Sequence, residues 1–70
     1  MVALTGSALA DDAADCDSGI QMIKAEIGKN PKEPALGKLK KALKDAEREK
    51  GVKEYADCLE AVEDAKEAIK

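Results

Sequence analysis

Apolar side chains along this chain recur with the period of a helix. Cys16, Ile20, Ile23 and Ile27 follow at steps of four, three and four. Leu36, Leu39, Leu43 and Ala46 make a second stripe, and Tyr55, Leu59 (or Cys58), Val62, Ala65 and Ile69 a third. No window alternates apolar and polar residues with a period of two, and one Thr and three Val leave little β-forming material. The punctuation agrees with three helices. Asp11 or Asp12 is the predicted N-cap of the first, and Asp15 adds negative charge to its opening turn, where the helix dipole favours it. Gly28 and Asn30 end that helix, with Pro31 beyond as a stop. Pro34 suits the first position of the second helix, because the N–H it lacks has no intrahelical partner there. Gly51 is predicted to close the second helix after Lys50, a cation at the negative end of the dipole. The fold class is therefore all-α, with residues 11–70 as one up-down-up three-helix bundle.

Such a bundle makes a prediction about the two cysteines. Helices 1 and 3 run parallel, with Cys16 about four residues into one and Cys58 about six or seven into the other; at a rise of 1.5 Å per residue the two should sit within about 3–5 Å in height. Both fall on or beside apolar stripes. A Cys16–Cys58 disulfide between helices 1 and 3 is expected, the alternative being two reduced cysteines that act as small hydrophobes.

Composition explains why such a staple matters. The chain has 70 residues, and its apolar fraction of 44% includes 13 alanines. Twelve larger apolar side chains remain beyond the first ten residues: Ile20, Met22, Ile23, Ile27, Leu36, Leu39, Leu43, Val52, Tyr55, Leu59, Val62 and Ile69. That is a thin core, and domains of this size ordinarily need a cross-link or a metal. Tyr55 is the one aromatic residue, and there is no His, Trp or Phe. Histidine acid/base chemistry, histidine metal ligation and aromatic stacking on nucleic-acid bases are excluded.

The first ten residues, Met1 to Ala10, are uncharged and close on Ala8-Leu9-Ala10 before the acidic Asp11-Asp12. Two readings fit: the remnant of a signal peptide with an A-x-A cleavage site, or a disordered Ala-rich tail. Nothing else approaches the roughly 20 apolar residues of a membrane span, so no stable membrane insertion is expected. The export signal and the disulfide together point to a periplasmic or secreted protein.

Charge is unevenly placed. Asp11 to Gly28 carries five acids and one lysine, Pro34 to Gly51 six bases and three acids, and Val52 to Lys70 three bases and six acids. A basic middle helix between two acidic ones reads first as a solvated, intramolecularly compensated face. The second reading is an anion-binding strip made of Lys38, Lys41, Lys44 and Arg48. A pI near 4.9 with no interleaved aromatics speaks against nucleic acid.

Other chemistry is sparse. Asp15 as position 1 of a calcium loop puts Asp17 at 3 and Glu26 at 12, but Gly19 falls at 5 and Ile20 at 6, which is the wrong register. No C-x-x-C and no histidine accompany Cys16 or Cys58, so neither reads as a reactive thiol. Asp17-Ser18-Gly19 resembles the Asp-Ser-Leu site of acyl carrier proteins in two residues only, with seven residues between the predicted mature start near Asp11 and Ser18 where that family has a helix and a long loop. Gly51 to Ala65 resembles the second half of a tetratricopeptide repeat through Tyr55, Cys58, Val62 and Ala65, with valine in place of the usual aromatic. The preceding helix, with Asp45 and Ala46, departs from the pattern, and the chain is too short for three repeats. The chain as a whole is similar to small exported Ala-rich helical proteins of unknown function, a likeness that implies no activity.

The functional expectation is a non-enzymatic exported bundle that works through an unidentified protein partner, as an envelope accessory, inhibitor or stress protein. It would be a monomer or a weak homodimer, without cofactor or metal. Tyr55 is its one aromatic interface anchor, although a place at the head of the third stripe suits core packing better. The alternative is a small-ligand or metal-ion carrier using the acidic helices, which would show a concave pocket or converging carboxylates.

Overall fold

The computed structural model describes residues 8–70, with side chains from Asp11 onward. Helices α1 (Ala8–Gly28), α2 (Ala35–Gly51) and α3 (Tyr55–Ala68) form an up-down-up bundle in which every helix packs on the other two. Residues 1–7 of the predicted leader or tail lie outside the described residues.

The boundaries shift for physical reasons. α1 begins at Ala8, not at a cap on Asp11 or Asp12. Ala8-Leu9-Ala10 are strong helix formers, so the helix continues through the acids, and Asp11 becomes a first-turn carboxylate at the positive end of the dipole. At the other end Asn30 adopts φ 57° and its N–H donates to the Ile27 carbonyl at 2.9 Å. Asparagine tolerates this left-handed conformation, and Pro31, lacking an N–H, stops the chain from continuing.

Pro34 sits one position before α2, whose first residue is Ala35. The Glu33 carboxylate accepts a hydrogen bond from the Gly37 N–H at 2.8 Å, satisfying an N–H that has no intrahelical partner and placing negative charge at the helix start. Gly51 is the last residue of α2 and does not make the turn. Lys53 takes the left-handed conformation, φ 63°, while the Lys53 N–H donates to the Lys50 carbonyl at 3.0 Å and the Glu54 N–H to the Glu49 carbonyl at 2.8 Å. This pair of bonds is the Schellman arrangement, built with a lysine where glycine is usual.

The later start of α3 changes the register but preserves the cross-link. Cys16 is the ninth residue of α1 and Cys58 the fourth of α3. Their sulfurs are bonded at 2.05 Å, with Cα atoms 5.8 Å apart and no exposure of either residue. The parallel placement of α1 and α3 and the predicted disulfide are both present.

The core differs from the twelve-residue expectation. Of those twelve, Ile20, Ile23, Leu39 and Val62 are buried, whereas Val52 is 61% exposed and Ile69 38%. Small residues complete the interior: Ala42 and Ala46 of α2 and Ala61 and Ala65 of α3, each one helical turn apart, together with the disulfide. Alanine at these positions lets α2 and α3 approach closely, so little volume is needed to fill the space between them. Between α1 and α3 the same device is carried further at Gly19. A Cβ placed there would lie 2.5 and 2.6 Å from the two methyl groups of Val62.

Candidate functional site

The side chains singled out for contact lie mainly on α2, and helix geometry sorts them. Leu39, Ala42 and Ala46 face inward, so at 3.6 residues per turn Lys40, Lys41, Lys44 and Arg48 fall on the outward side. Lys38 and Lys41 also form one wall of an open groove between α2 and α3, with Ala42 and Ala68 below and Asp64 and Glu67 opposite. Lys38, Lys41, Lys44 and Arg48 are all exposed.

Their pairing departs from the expected compensation by neighbouring helices. The Lys41 ammonium donates to Asp45 Oδ2 at 2.8 Å, and Arg48 Nη2 lies 3.5 Å from Asp45 Oδ1 and 3.4 Å from Glu49 Oε2, all within α2. Two pairs join α2 to α1: Lys50 with Asp17, and Glu47 with Lys24 at 3.6 Å. In the second the acid belongs to α2, so only Lys50 brings an α2 cation to an α1 carboxylate. Among the described residues no ion pair joins α2 to α3, and Lys38, Lys40 and Lys44 have no partner within ion-pair distance. Lys40, Lys44 and Arg48 point away from the alanine seam of α2, and hence from the acids of α1 and α3, while Lys38 and Lys41 face Asp64 and Glu67 across an open groove without reaching ion-pair distance.

The electrostatics follow from these pairs. The hydrogen bond from Lys41, with Arg48 and Lys44 nearby, holds the Asp45 carboxyl below its ordinary value of 3.8. The hydrogen bond to the Asp17 carboxylate raises Lys50 above its ordinary 10.5. Both sites are open to solvent, so each pair is a modest, salt-sensitive contact.

Tyr55 is half-buried and packs against the core cluster, beside the disulfide end of α3. Ser18, from the segment resembling an acyl carrier site, is an exposed residue in the middle of α1, and its neighbour Gly19 is buried against Val62. Among the described residues no three Asp, Glu or Cys side chains converge as metal ligands, and no buried polar or charged residue lies in the interior. A second open groove, about 530 Å³, runs between α1 and α3 over Gly19, Met22, Leu59 and Val62.

The close approach at Gly19 was not anticipated from sequence. Its signal is glycine placed one residue before Ile20 on the buried side of a helix, where such a residue normally costs stability and so marks a contact. The chain matches no protein-family model, no curated protein and no solved structure.

Proposed function

We propose that this chain is a non-enzymatic helical protein of an oxidising compartment, periplasmic or secreted, and that it works by presenting the cationic side of α2 to an acidic surface on another protein. The observation that carries this reading is the pairing of α2. In a chain of net charge −3, the cations of one helix stand outward with Lys38, Lys40 and Lys44 unpaired among the described residues, while carboxylates are abundant on the two neighbouring helices. A partner carrying carboxylates would meet a ridge that needs no internal ion pair broken at those three positions. The roles of envelope accessory, inhibitor or stress protein all fit such a contact.

The oxidising compartment is supported by the Cys16–Cys58 bond, since disulfides persist outside the cytosol. No helix among the described residues is long and apolar enough to cross a membrane.

The contact is tested with isotope-labelled, oxidised protein and polyglutamate as the acidic probe. Amide shifts concentrated between Lys38 and Arg48 at low salt, abolished by Lys38→Gln, Lys40→Gln and Lys44→Gln together, are expected. No shifts at low salt, or shifts that survive the triple substitution, would overturn the assignment. The compartment is tested by alkylating the protein at the moment its source cells are lysed: intact mass should show no label on either cysteine, and two labelled cysteines would remove the support for export.

A further inference from the structure

α1 has a second face that the bundle does not use. Opposite its buried side lie Ala14, Ser18, Gln21 and Ala25, all exposed and uncharged, at steps of four, three and four. In a chain with 39% charged residues this is an unusual interruption of charge. Along one edge of this face runs the groove toward α3, where Met22 and Leu59 are half-buried and leave apolar surface facing outward. At its two ends the face is closed by opposite charges, Asp11 before Ala14 and Lys29 after Ala25, both exposed.

These positions are symmetric about residue 20. Asp11 and Lys29 each stand nine residues from it, and the 18 residue steps from one to the other make five turns of about 3.6, so Lys29, the residue that follows Gly28 at the end of α1, projects from the same side as Asp11. If a second α1 is laid antiparallel across this face, with a two-fold axis passing near residue 20, Asp11 of each copy comes opposite Lys29 of the other. Ser18 then lies beside Met22 of the other copy, Ala25 beside Asp15, and Ala14 beside Glu26. The small side chains permit close approach, the half-buried Met22 supplies apolar area, and both ends are charge-complementary. A parallel pairing would instead set Asp11 against Asp11 and Lys29 against Lys29. Within one copy Lys29 is held only by Glu26, 3.1 Å away on the preceding turn, an exposed pair that does not prevent a second carboxylate from approaching.

We propose that this face of α1 docks a second copy of the chain, antiparallel, as a closed two-fold dimer with paired Asp11–Lys29 contacts at both ends. The surface is distinct from the cationic side of α2, which remains free in the dimer, so the two proposals stand or fall separately.

The test uses the whole oxidised chain in sedimentation velocity from micromolar to millimolar concentration at low salt. The unsubstituted protein should dimerise, more weakly as salt is raised. Asp11→Lys alone and Lys29→Asp alone each place like charges at both ends, and each should weaken association about tenfold or more. An equimolar mixture of the two variants should associate as well as the unsubstituted protein, because each end again pairs opposite charges. That recovery also guards against misfolding, since a variant that had lost α1 could not regain binding from its counterpart. A monomer at the highest concentration, a dimer indifferent to both reversals, or a mixture that stays monomeric would each overturn the proposal.

Discussion

Gly19 shows what one missing methyl group does in this bundle. Its hydrogen faces Val62 at a distance no Cβ can occupy, and valine has little rotameric freedom in a helix with which to yield. Gly19→Ala should lower stability by about 1–3 kcal/mol through overpacking, although alanine is the better helix former. Thermal unfolding of Gly19→Ala and of Gly19→Ala with Val62→Ala checks the cause: the second substitution should recover part of the loss, and a double variant worse than the sum would point elsewhere. Asp45 gives a charge counterpart. Its carboxyl is held below 3.8 chiefly by Lys41, so the contribution of that pair is present above this pH and is lost as pH falls through the lowered folded value. Melting temperatures followed between about pH 2 and 6 should therefore fall less steeply in Asp45→Asn than in the unsubstituted protein. Equal slopes would show that the pair contributes nothing to folding.

Among the elements, helix identity and the ends at Gly28 and Gly51 were legible because the apolar stripes are clean and punctuated, whereas the helix starts and the residue that makes the second turn were not, because several residues compete for each. Gly51 has the right chemistry to close α2 and is its last residue, yet the left-handed turn falls two residues later, on Lys53. The Glu54 N–H reaching back to Glu49 fixes that register, and it is a tertiary consequence of where α3 must begin. Lys53 consequently carries a left-handed strain that glycine would not, and Lys53→Gly should raise stability by about 1 kcal/mol, read as a higher denaturation midpoint. An unchanged or lower midpoint would mean that the lysine stem compensates. Burial was misjudged for a related reason. Sequence ranks side chains by size, so Val52 and Ile69 counted as core; packing ranks them by place in the helix, so Ala42, Ala46, Ala61 and Ala65 fill the seam and both larger residues face water. Which acids the α2 cations meet depends on interhelical distances that spacing along the chain does not contain.

For the molecule as a whole, the disulfide was readable because two cysteines on parallel helices leave one geometric possibility, and it now supports a core of few large side chains. Replacing Cys16 and Cys58 with serine should cost about 2–5 kcal/mol, while the native bond, buried on both sides, should resist added phosphine until the bundle opens. Rapid reduction in native buffer would mean that α1 separates from the other helices far more often than this packing allows. The placement of that bond along the chain has one more effect. Both connecting segments, 29–34 and 52–54, lie inside the ring that Cys16 and Cys58 close. A protease that cuts either one leaves two pieces still tied together, unchanged in mass but for the added water. Cutting both frees α2 alone, since it is the one helix with no covalent hold on its neighbours. The cationic helix is thus a detachable part, one that a synthetic peptide of the same sequence could replace in a twice-nicked protein.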